Sequence, residues 1–554
     1  MTDRFALHVA SDVDVDAGSH AGLLRAIAES DGLAQVAVFG AGDAQGSAFK
    51  DALRRLGYRG AVAPIAPGRP QDIERFGTLF HTSPDLARLA WRRLGLGGAG
   101  ERRYSLCGFV HATATHADMS AIADALVAPL RSWDALICPS RVARDSARAI
   151  LERQAAYLTA RFGATRFELP QLPLIAPGVH SRDFVFDDAQ RRAARERFGI
   201  GADDIAFLHA GRLSFHGDAH PQQMLVALEQ AAKAGHVVHL LLCGRFDDAA
   251  SKQGMRDAAA VLAPSVRLTM LAAQPGQVAA PSDAQSADAW AAADVFTAMA
   301  DSVQDCAAPL LLAAMAAALP CVVSDWGAYR DTVRDGVEGY LIPTVMPGPG
   351  AGLDLAQRYD DGVDSYAQYC GHTSHAVAVD GAVLAQAYER LIANAGLRRE
   401  LGDNARRRAR REHDWPVVLE HYRQLWSELD ERRRADPVLS PALPPAAPDR
   451  LDPFALFASY PSARMTPASL VELTPHASLA LLRQYRALAI NRFAQASLPT
   501  LEEFGLIFGS IESQPMQVDE MLDTLGPCDR PTLLRGLAWL CKMDLLRISP
   551  PEET

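Results

Sequence analysis

The sequence predicts an α/β protein with two Rossmann-like domains that face one cleft, followed by a small, mostly helical, winged-helix-like domain. Three observations support this. Short β-rich runs alternate with helical stretches over residues 1–200, the alternation restarts at Ile205, and a proline-rich segment interrupts the chain after residue 435. Strands that alternate with helices of this length favour a parallel sheet covered on both faces.

The first Rossmann-like domain is placed at residues 1–200. Its apolar runs are short and often end at small or polar residues, as buried strands do, and its helical stretches carry apolar residues at helical spacing. The predicted strands are 5–10, 36–39, 133–140 and 173–178, and the predicted helices are 21–29 and 141–160.

The second Rossmann-like domain is placed at residues 201–415, and a charged helix that opens on Pro416 is placed at 416–435. The strands that define the repeat are 205–211, 237–244, 293–296 and 320–324. In sheets of this kind ligands bind beyond the carboxyl ends of the strands, so chemistry is expected in the loops that follow them.

A linker is predicted at 436–452 and a C-terminal domain at 453–554. Five of the thirteen residues from Asp436 to Pro448 are proline, a composition typical of semi-rigid linkers. Three short helices (501–511, 517–525 and 531–540) and a strand from Leu545 give the winged-helix-like order. The domain carries 8 basic and 11 acidic side chains, whereas a DNA reader needs a basic surface. Four roles of this domain stay open: contact with a protein or peptide, self-association, assembly into a hetero-oligomer, and purely structural support of the rest of the chain.

Composition restricts the partners and the compartment. The formal charge of −11 disfavours nucleic acid and anionic lipid as partners. The longest apolar run, from Leu310 to Leu319, is far too short to span a membrane, and the N-terminus lacks the layout of a secretion signal. The eight cysteines are scattered without a C-x-x-C pair, so we expect reduced, buried thiols and a cytoplasmic protein.

One long segment, residues 291–344, runs from Ala-Ala-Ala-Asp-Val-Phe to Gly-Tyr-Leu-Ile-Pro-Thr and resembles the donor half of glycosyltransferase family 4, also called group 1. Further matches are Pro177-Gly-Val, Gly211-Arg-Leu and Asp414-Trp. The resemblance covers residues 1–435. It implies a GT-B fold with the acceptor on the first domain, the donor on the second, and helix 416–435 crossing back to the first.

The resemblance also implies roles for donor-site positions. Asp305 stands where the family has a Glu that contacts the donor sugar, and Ala313 stands where a second Glu contacts the nucleotide ribose. Asp218 occupies the place of a Lys that meets the donor diphosphate. Without that Glu and that Lys, about 3 to 6 kcal/mol of binding is lost, on the order of a hundred- to ten-thousand-fold.

Small residues replace larger or more flexible ones around the same helix. Ala307 and Ala308 stand where the family has Phe-Gly, and Ala318 replaces the Gly before Leu-Pro.

Other groups at the predicted donor site are expected to bind the donor phosphate and sugar. Arg212 and the amides of a helix that begins near Ala307 can hold a phosphate, and Asp305 can orient the sugar. His111 lies where similar enzymes place a catalytic histidine against the acceptor, with a satisfied loop or core histidine as the alternative. Gly18 lies in the phosphate-loop position, with a plain turn as the alternative.

Two functions remain open at the sequence level. The first is a retaining glycosyltransferase that moves a sugar from a nucleotide donor, such as a UDP- or GDP-sugar, to an unknown acceptor without a metal or another cofactor. The spacing of His209, His216, His220, Asp218 and Asp301 gives no metal site. The second is a catalytically degenerate pseudo-glycosyltransferase that serves as a binding or scaffolding subunit for a protein partner.

Overall fold

The computed structural model describes residues 4–8, 21–30, 33–40, 43–97, 100–272, 284–304, 307–436, 447–525 and 529–549. Two of the predicted site residues, Gly18 and Asp305, lie outside the described residues. Backbone contacts divide the chain into two units, Met1–Pro448 and Asp449–Thr554. Each unit is described separately.

The first domain is built on a six-stranded parallel sheet of order β3-β2-β1-β4-β5-β6. Its strands are β1 (Arg4–His8), β2 (Gln35–Phe39), β3 (Ala61–Ile65), β4 (Thr78–His81), β5 (Ser105–Phe109) and β6 (Ala135–Ile137). Its helices are α1 (Ala21–Glu29), α2 (Asp43–Arg55), α3 (Ala87–Leu94), α4 (His116–Asp124) and α5 (Arg141–Phe162).

The second domain repeats this topology. Its parallel sheet has the order β12-β11-β10-β7-β8-β9, which is the first sheet's order with the strands renumbered. The strands are β7 (Ile205–Arg212), β8 (Val238–Arg245), β9 (Arg267–Ala272), β10 (Val295–Ala298), β11 (Cys321–Ser324) and β12 (Gly339–Ile342). The helices up to this point are α6 (Asp188–Arg197), α7 (Gln222–Lys233), α8 (Ala249–Leu262), α9 (Ala284–Ala292), α10 (Pro309–Ala316) and α11 (Tyr329–Thr332).

Both sheets have the Rossmann order, in which the strand sequence reverses between the first and fourth strands. The prediction of two Rossmann-like domains is therefore confirmed, and their pairing within one unit is the GT-B arrangement that the resemblance implies. Each reversal opens a crevice at the carboxyl edge: between β1 and β4 in the first domain, and between β7 and β10 in the second.

Side-chain caps set several helix boundaries. Ser140 accepts a hydrogen bond from the amide of Ala143 at the start of α5, and Gly163 ends that helix in the left-handed conformation. Asp187 and Gln190 form a capping box at α6. These are local signals, so helix boundaries of this kind are readable from sequence.

A helical hairpin follows the second sheet. The elements are β13 (Thr344–Val345), α12 (Leu353–Asp360), α13 (Tyr366–Ser374) and β14 (Ala378–Val379), with β13 and β14 antiparallel. This hairpin was not predicted from the sequence, although Ser365 and Gln368 form a capping box at α13. Helices α14 (Gly381–Ala393) and α15 (Ala395–Arg408) then lead through a π-helical turn to α16 (Trp415–Ala435).

Helix α16 returns to the first domain and completes its core. Val418, Tyr422 and Trp426 are buried with Leu23 and Ile27 of α1. The Pro177-Gly178 and Asp414-Trp415 motifs meet at the junction, because a Cβ at Gly178 would lie 2.4 Å from Cδ2 of the Trp415 ring. Glycine is therefore required there for close approach.

The strand predicted at 173–178 is wrong. This segment touches the sheet only through an isolated bridge between Cys138 and Leu174. Pro173 and Pro177 lack the N–H groups that a continuous ladder needs.

The C-terminal unit has its own apolar core and a three-stranded antiparallel sheet of order β16-β15-β17. The strands are β15 (Leu470–Leu473), β16 (Met516–Gln517) and β17 (Leu546–Ser549). The helices are α17 (Pro453–Leu456), α18 (Leu479–Ala487), α19 (Ala489–Arg492), α20 (Leu501–Ile511), α21 (Val518–Thr524) and α22 (Arg530–Lys542). The three predicted helices and the last strand are present, and the winged-helix name stays a prediction. In the described parts of both units, no helix is long and apolar enough to cross a membrane.

Candidate functional site

A cavity of about 60 Å³ lies at the reversal point of the second sheet, beyond the carboxyl ends of β7 and β10. Two of the predicted donor-site residues, Asp218 and Ala308, line it together with His209 and Tyr329. In sheets of this kind, ligands bind beyond the carboxyl ends of the strands where the strand order reverses, and this cavity lies at that position. Its volume accommodates a few water molecules.

The end of β7 approaches the first turn of α10 closely. Gly211 has a φ of 144°, and a Cβ there would lie 2.9 Å from Cδ1 of Leu310. Gly211 is thus required both by its backbone conformation and by this contact. Leu310 and Pro309 line the cavity beside Ala308, so its helix side is apolar.

Arg212 does not line this cavity, because its side chain is held by an aspartate at the end of the neighbouring strand. Nε donates to Oδ1 of Asp247 at 3.0 Å, and Nη2 donates to Oδ2 at 3.3 Å. The pKa of Asp247 is lowered: partial burial would raise it, but hydrogen bonds from Arg212 and Ser214 outweigh that effect. The cation predicted for a phosphate is therefore already paired with a carboxylate.

A second carboxylate is buried beside Asp218. The amide of Asp301 donates to the carbonyl of Asp218 at 3.3 Å, and Oδ2 of Asp301 accepts from the amide of His220 at 3.2 Å. Oδ1 of Asp301 is buried and has no hydrogen-bond partner among the described residues. Burial raises the pKa of this carboxyl to about 7, so its protonated form is favoured far more at neutral pH than that of an exposed aspartate.

Histidine 209 supplies the other polar group of the cavity. Nδ1 lies 3.0 Å from the carbonyl oxygen of Thr297, so Nδ1 carries the proton and Nε2 is the acceptor. Burial lowers the pKa of His209, which keeps the ring neutral. The cavity thus combines a neutral imidazole with the carboxylate of Asp218.

The predicted helix positions have different surroundings. Ala308 precedes α10 in a left-handed conformation with φ 49° and lines the cavity, and Ala307 comes directly before it. Ala313 is fully buried in the core of the second domain. The structure therefore brings Asp218 and Ala308 together and places Ala313 elsewhere.

The first domain carries three histidines at the carboxyl edge of its sheet. His111 follows β5, and its Nε2 lies 2.7 Å from the carbonyl oxygen of Thr82. Nδ1 of His8, at the end of β1, lies 3.0 Å from Nδ1 of His81, at the end of β4. Burial, with a smaller contribution from His81, lowers the pKa of His8 to about 4, and burial alone lowers that of His81 to about 4. This pair is therefore neutral at pH 7 and lies at the reversal point of the first sheet.

A larger cleft, of about 690 Å³, lies between the two domains. The first domain contributes Met119 and Val142, and the second contributes Trp326 and Tyr369. Nε1 of Trp326 donates to the carbonyl of Ser302 at 2.9 Å, which fixes the indole against the loop after β10. In the described ranges no group of three or more His, Cys, Asp or Glu side chains could hold a metal ion.

Residues 205–348 match the family described as glycosyl transferases, group 1. The matched residues span β7 to β12 of the second α/β domain. None of the curated proteins matches the chain.

Several solved structures are similar to this chain. HepE from Anabaena, in complex with UDP and glucose, is 14% identical with a TM-score of 0.49, over 77% of this chain and 99% of that chain. A glycosyltransferase from Rickettsia africae is 9% identical with a TM-score of 0.48, over 77% and 98%. Sucrose-phosphate synthase from Thermosynechococcus elongatus is 17% identical with a TM-score of 0.44, over 77% and 98%.

Sequence reasoning missed three side chains at the carboxyl edges of the two sheets. Asp247 is 35 residues from Arg212 in sequence and becomes its partner only because β7 and β8 are adjacent and in register. His8 and His81 are 73 residues apart. His8 lies at the end of the first apolar run of the sequence, but no local pattern indicates that His81 is its partner.

Proposed function

We propose that this protein is a retaining glycosyltransferase of family 4 that moves a sugar from a nucleoside diphosphate donor to an acceptor hydroxyl. The observation that carries the proposal is the family match over residues 205–348, which spans β7 to β12 and the cavity at the reversal point. In the transfer, the acceptor oxygen replaces the phosphate oxygen at the anomeric carbon. The hydroxyl proton leaves with the nucleoside diphosphate.

The chain's own residues suit particular steps of this reaction. Arg212, once released from Asp247, offers two parallel N–H donors to the leaving phosphate. Asp305 is proposed to orient the donor sugar, and His111 to lie on the acceptor side. The protonated share of Asp301 near pH 7 lowers the negative charge beside Asp218, which favours an anionic donor.

The decisive experiment is calorimetric titration of the full chain with UDP, GDP and their common sugars. Arg212→Ala should weaken binding by about ten- to a hundredfold, since a hydrogen bond to a charged group contributes about 1.5–3 kcal/mol. Asp247→Asn should strengthen binding several-fold, because it frees Arg212 and removes a negative charge.

A matched control uses a second exposed pair, Arg197 with Asp288, on α6 and α9. Arg197→Ala and Asp288→Asn make the same chemical changes outside the site and should leave the affinity unchanged. Absence of binding at millimolar nucleotide would reject the transferase proposal.

A second function, that of a pseudo-glycosyltransferase, is favoured by the donor-side geometry. The cavity has room for a few water molecules, Arg212 is paired, and Asp218 brings a negative charge to the place of a phosphate. Under this function the natural chain neither hydrolyses nor transfers the donor sugar, and Asp218→Lys gains donor affinity. Sugar transfer by the unmodified chain would exclude this function. Glu is not restored at position 313 in this test, because the side chain there is fully buried.

A cytoplasmic location and a protein or peptide partner are further proposals. The six described cysteines are all free, and five of them are buried, which supports a reducing compartment such as the cytoplasm. The C-terminal unit exposes Phe454, Tyr460 and Phe493, which supports contact with a protein or peptide.

A further inference from the structure

The interdomain cleft has chemistry of its own, distinct from that of the small cavity. Apolar side chains come from both walls: Met119, Val142 and Ile150 from the first domain, and Val303, Trp326 and Met346 from the second. The volume of about 690 Å³ lies within the range of small-molecule sites. The cleft is therefore large enough for a ligand with a substantial apolar body.

The charge in the cleft is balanced. Among the described residues that line it, the charged ones are Asp325 and Arg330. Nε of Arg330 lies 3.0 Å from Oδ1 of Asp325, so the two neutralise each other. An anionic ligand would lose its hydration here and would have to displace a carboxylate to gain a counter-charge.

Hydroxyl groups supply the polar contacts that remain. Thr113 and Ser146 lie on the first-domain wall; Thr344 lies on the opposite wall, where its hydroxyl donates to the carbonyl of Asp325 at 3.0 Å and can still accept. Hydroxyls donate and accept hydrogen bonds without carrying charge, so they suit the hydroxyl groups of a neutral ligand.

An aromatic stack reaches across to the first domain beside this cleft. Tyr369, which lines the cleft, stacks on Tyr359 with ring centroids 4.8 Å apart, and Tyr359 stacks on His116 of the first domain at 3.8 Å. Tyr359 and Tyr369 belong to the helical hairpin α12–α13, which begins just after the family match ends at residue 348. This part of the cleft is thus formed by a segment outside the family match.

We propose that the cleft binds a neutral molecule with an alkyl or aryl body and at least one hydroxyl group, and that it discriminates against phosphorylated sugars. The apolar walls take the body and the hydroxyls take the polar end, while the two charged side chains among the described lining residues, Asp325 and Arg330, are paired with each other. The role of this molecule as the sugar acceptor rests on the proposed transferase function.

The test measures binding of alkyl glucosides to the full chain without any donor. Hexyl, heptyl and octyl β-glucosides, each kept below its micelle concentration, are titrated by calorimetry and by the fluorescence of Trp326, with Trp326→Phe identifying the signal. Each added methylene should tighten binding by up to about fourfold as it enters the apolar cleft. Glucose 6-phosphate should neither bind nor compete.

Two variants locate the binding in the cleft. Met346→Glu places a charge on the wall at an exposed position and should weaken octyl glucoside binding at least tenfold. Leu353→Glu makes the same kind of change on α12 at a more exposed position outside the cleft lining and should have no effect. Affinity independent of chain length, preference for glucose 6-phosphate, or equal effects of the two variants would overturn the proposal.

The two proposals fail separately. Absence of nucleotide binding rejects the transferase function and leaves the cleft assignment intact, because the glucoside titration contains no donor. Absence of glucoside binding with normal nucleotide binding rejects the cleft assignment alone.

Discussion

Alanine stands in a left-handed backbone conformation at both ends of α10. Ala308 has a φ of 49° and Ala318 a φ of 60°. After α10 the amide of Leu319 donates to the carbonyl of Ala314, and the amide of Ala318 donates to that of Met315, which is the Schellman arrangement that favours glycine. A side chain in this conformation costs about 1–2 kcal/mol. The backbone geometry is thus present although the glycines that usually provide it are not.

Replacing Ala318 with glycine should stabilise the protein. We expect Ala318→Gly to raise the free energy of unfolding by roughly 0.5–1 kcal/mol, the relieved strain less the extra entropy of the unfolded chain. Ala317→Gly is the matched control: its φ is −73°, and it should lower the free energy of unfolding by roughly 0.5–1 kcal/mol. Urea denaturation measures both, and changes of the same sign would contradict this account.

Asp301 should make stability fall as pH rises. Burial raises its pKa from 3.8 to about 7, so between these values the native state binds more protons than the unfolded state. The stability from the protonated form is complete below about pH 4 and is lost as pH rises through 7.

The variant Asp301→Asn cannot ionise and should lack this loss. Its free energy of unfolding relative to the natural chain should improve by roughly 3 kcal/mol between pH 4 and pH 8. Asp203→Asn, at an exposed position before β7, should track the natural chain at every pH. A pH-independent difference for Asp301→Asn would show that the carboxyl is not protonated in the native state.

At the scale of elements, the junction between α16 and the first domain depends on close backbone packing. The amide of Val179 donates to the carbonyl of His413, and the amide of Trp415 donates to that of Val179. The Trp415 ring then lies directly against Gly178. These contacts fix where the last helix of this unit returns to the first core.

A methyl group at Gly178 should disturb this junction. Gly178→Ala should lower the free energy of unfolding by about 1–3 kcal/mol, the cost of overpacking. Trp415→Leu in the same chain should remove most of the added penalty, which a double-mutant cycle would show as coupling. Gly254→Ala, where a Cβ meets nothing closer than 3.8 Å in α8, should instead stabilise slightly. Additive effects of Gly178→Ala and Trp415→Leu would exclude the proposed clash.

The elements differ in how well the sequence predicts them. Helix α1 was placed at residues 21–29, its observed bounds, because its apolar spacing is helical. The hairpin α12–α13 was not predicted, and in the structure α12 buries none of its residues. The strand predicted at 173–178 is wrong because the segment is apolar like a strand, yet its two prolines cannot donate the hydrogen bonds of a continuous ladder.

At the scale of the whole molecule, the two units have separate cores. Phe504, Leu537 and Leu540 form part of the core of the C-terminal unit, and the first unit has cores on both faces of its sheets. The contact division falls at Pro448, within the predicted proline-rich linker. Each unit therefore buries enough apolar surface to be expected to fold independently.

Two shortened chains test this independence. A chain of residues 1–436 and a chain of residues 449–554 should each unfold cooperatively, with midpoints that match two transitions of the full chain by calorimetry. A C-terminal chain that binds a hydrophobic dye and shows no transition would mean that its core needs the first unit.

The sequence alone predicted the two Rossmann-like domains, three of the helices of the C-terminal unit and the resemblance of the donor half to group 1 glycosyltransferases, because strand alternation, helical spacing and motifs are local in the chain. Only the tertiary structure paired Arg212 with Asp247, joined His8 to His81, buried Ala313 and assembled a charge-balanced apolar cleft. Those features depend on strand register and on packing between distant segments, which a linear pattern does not encode.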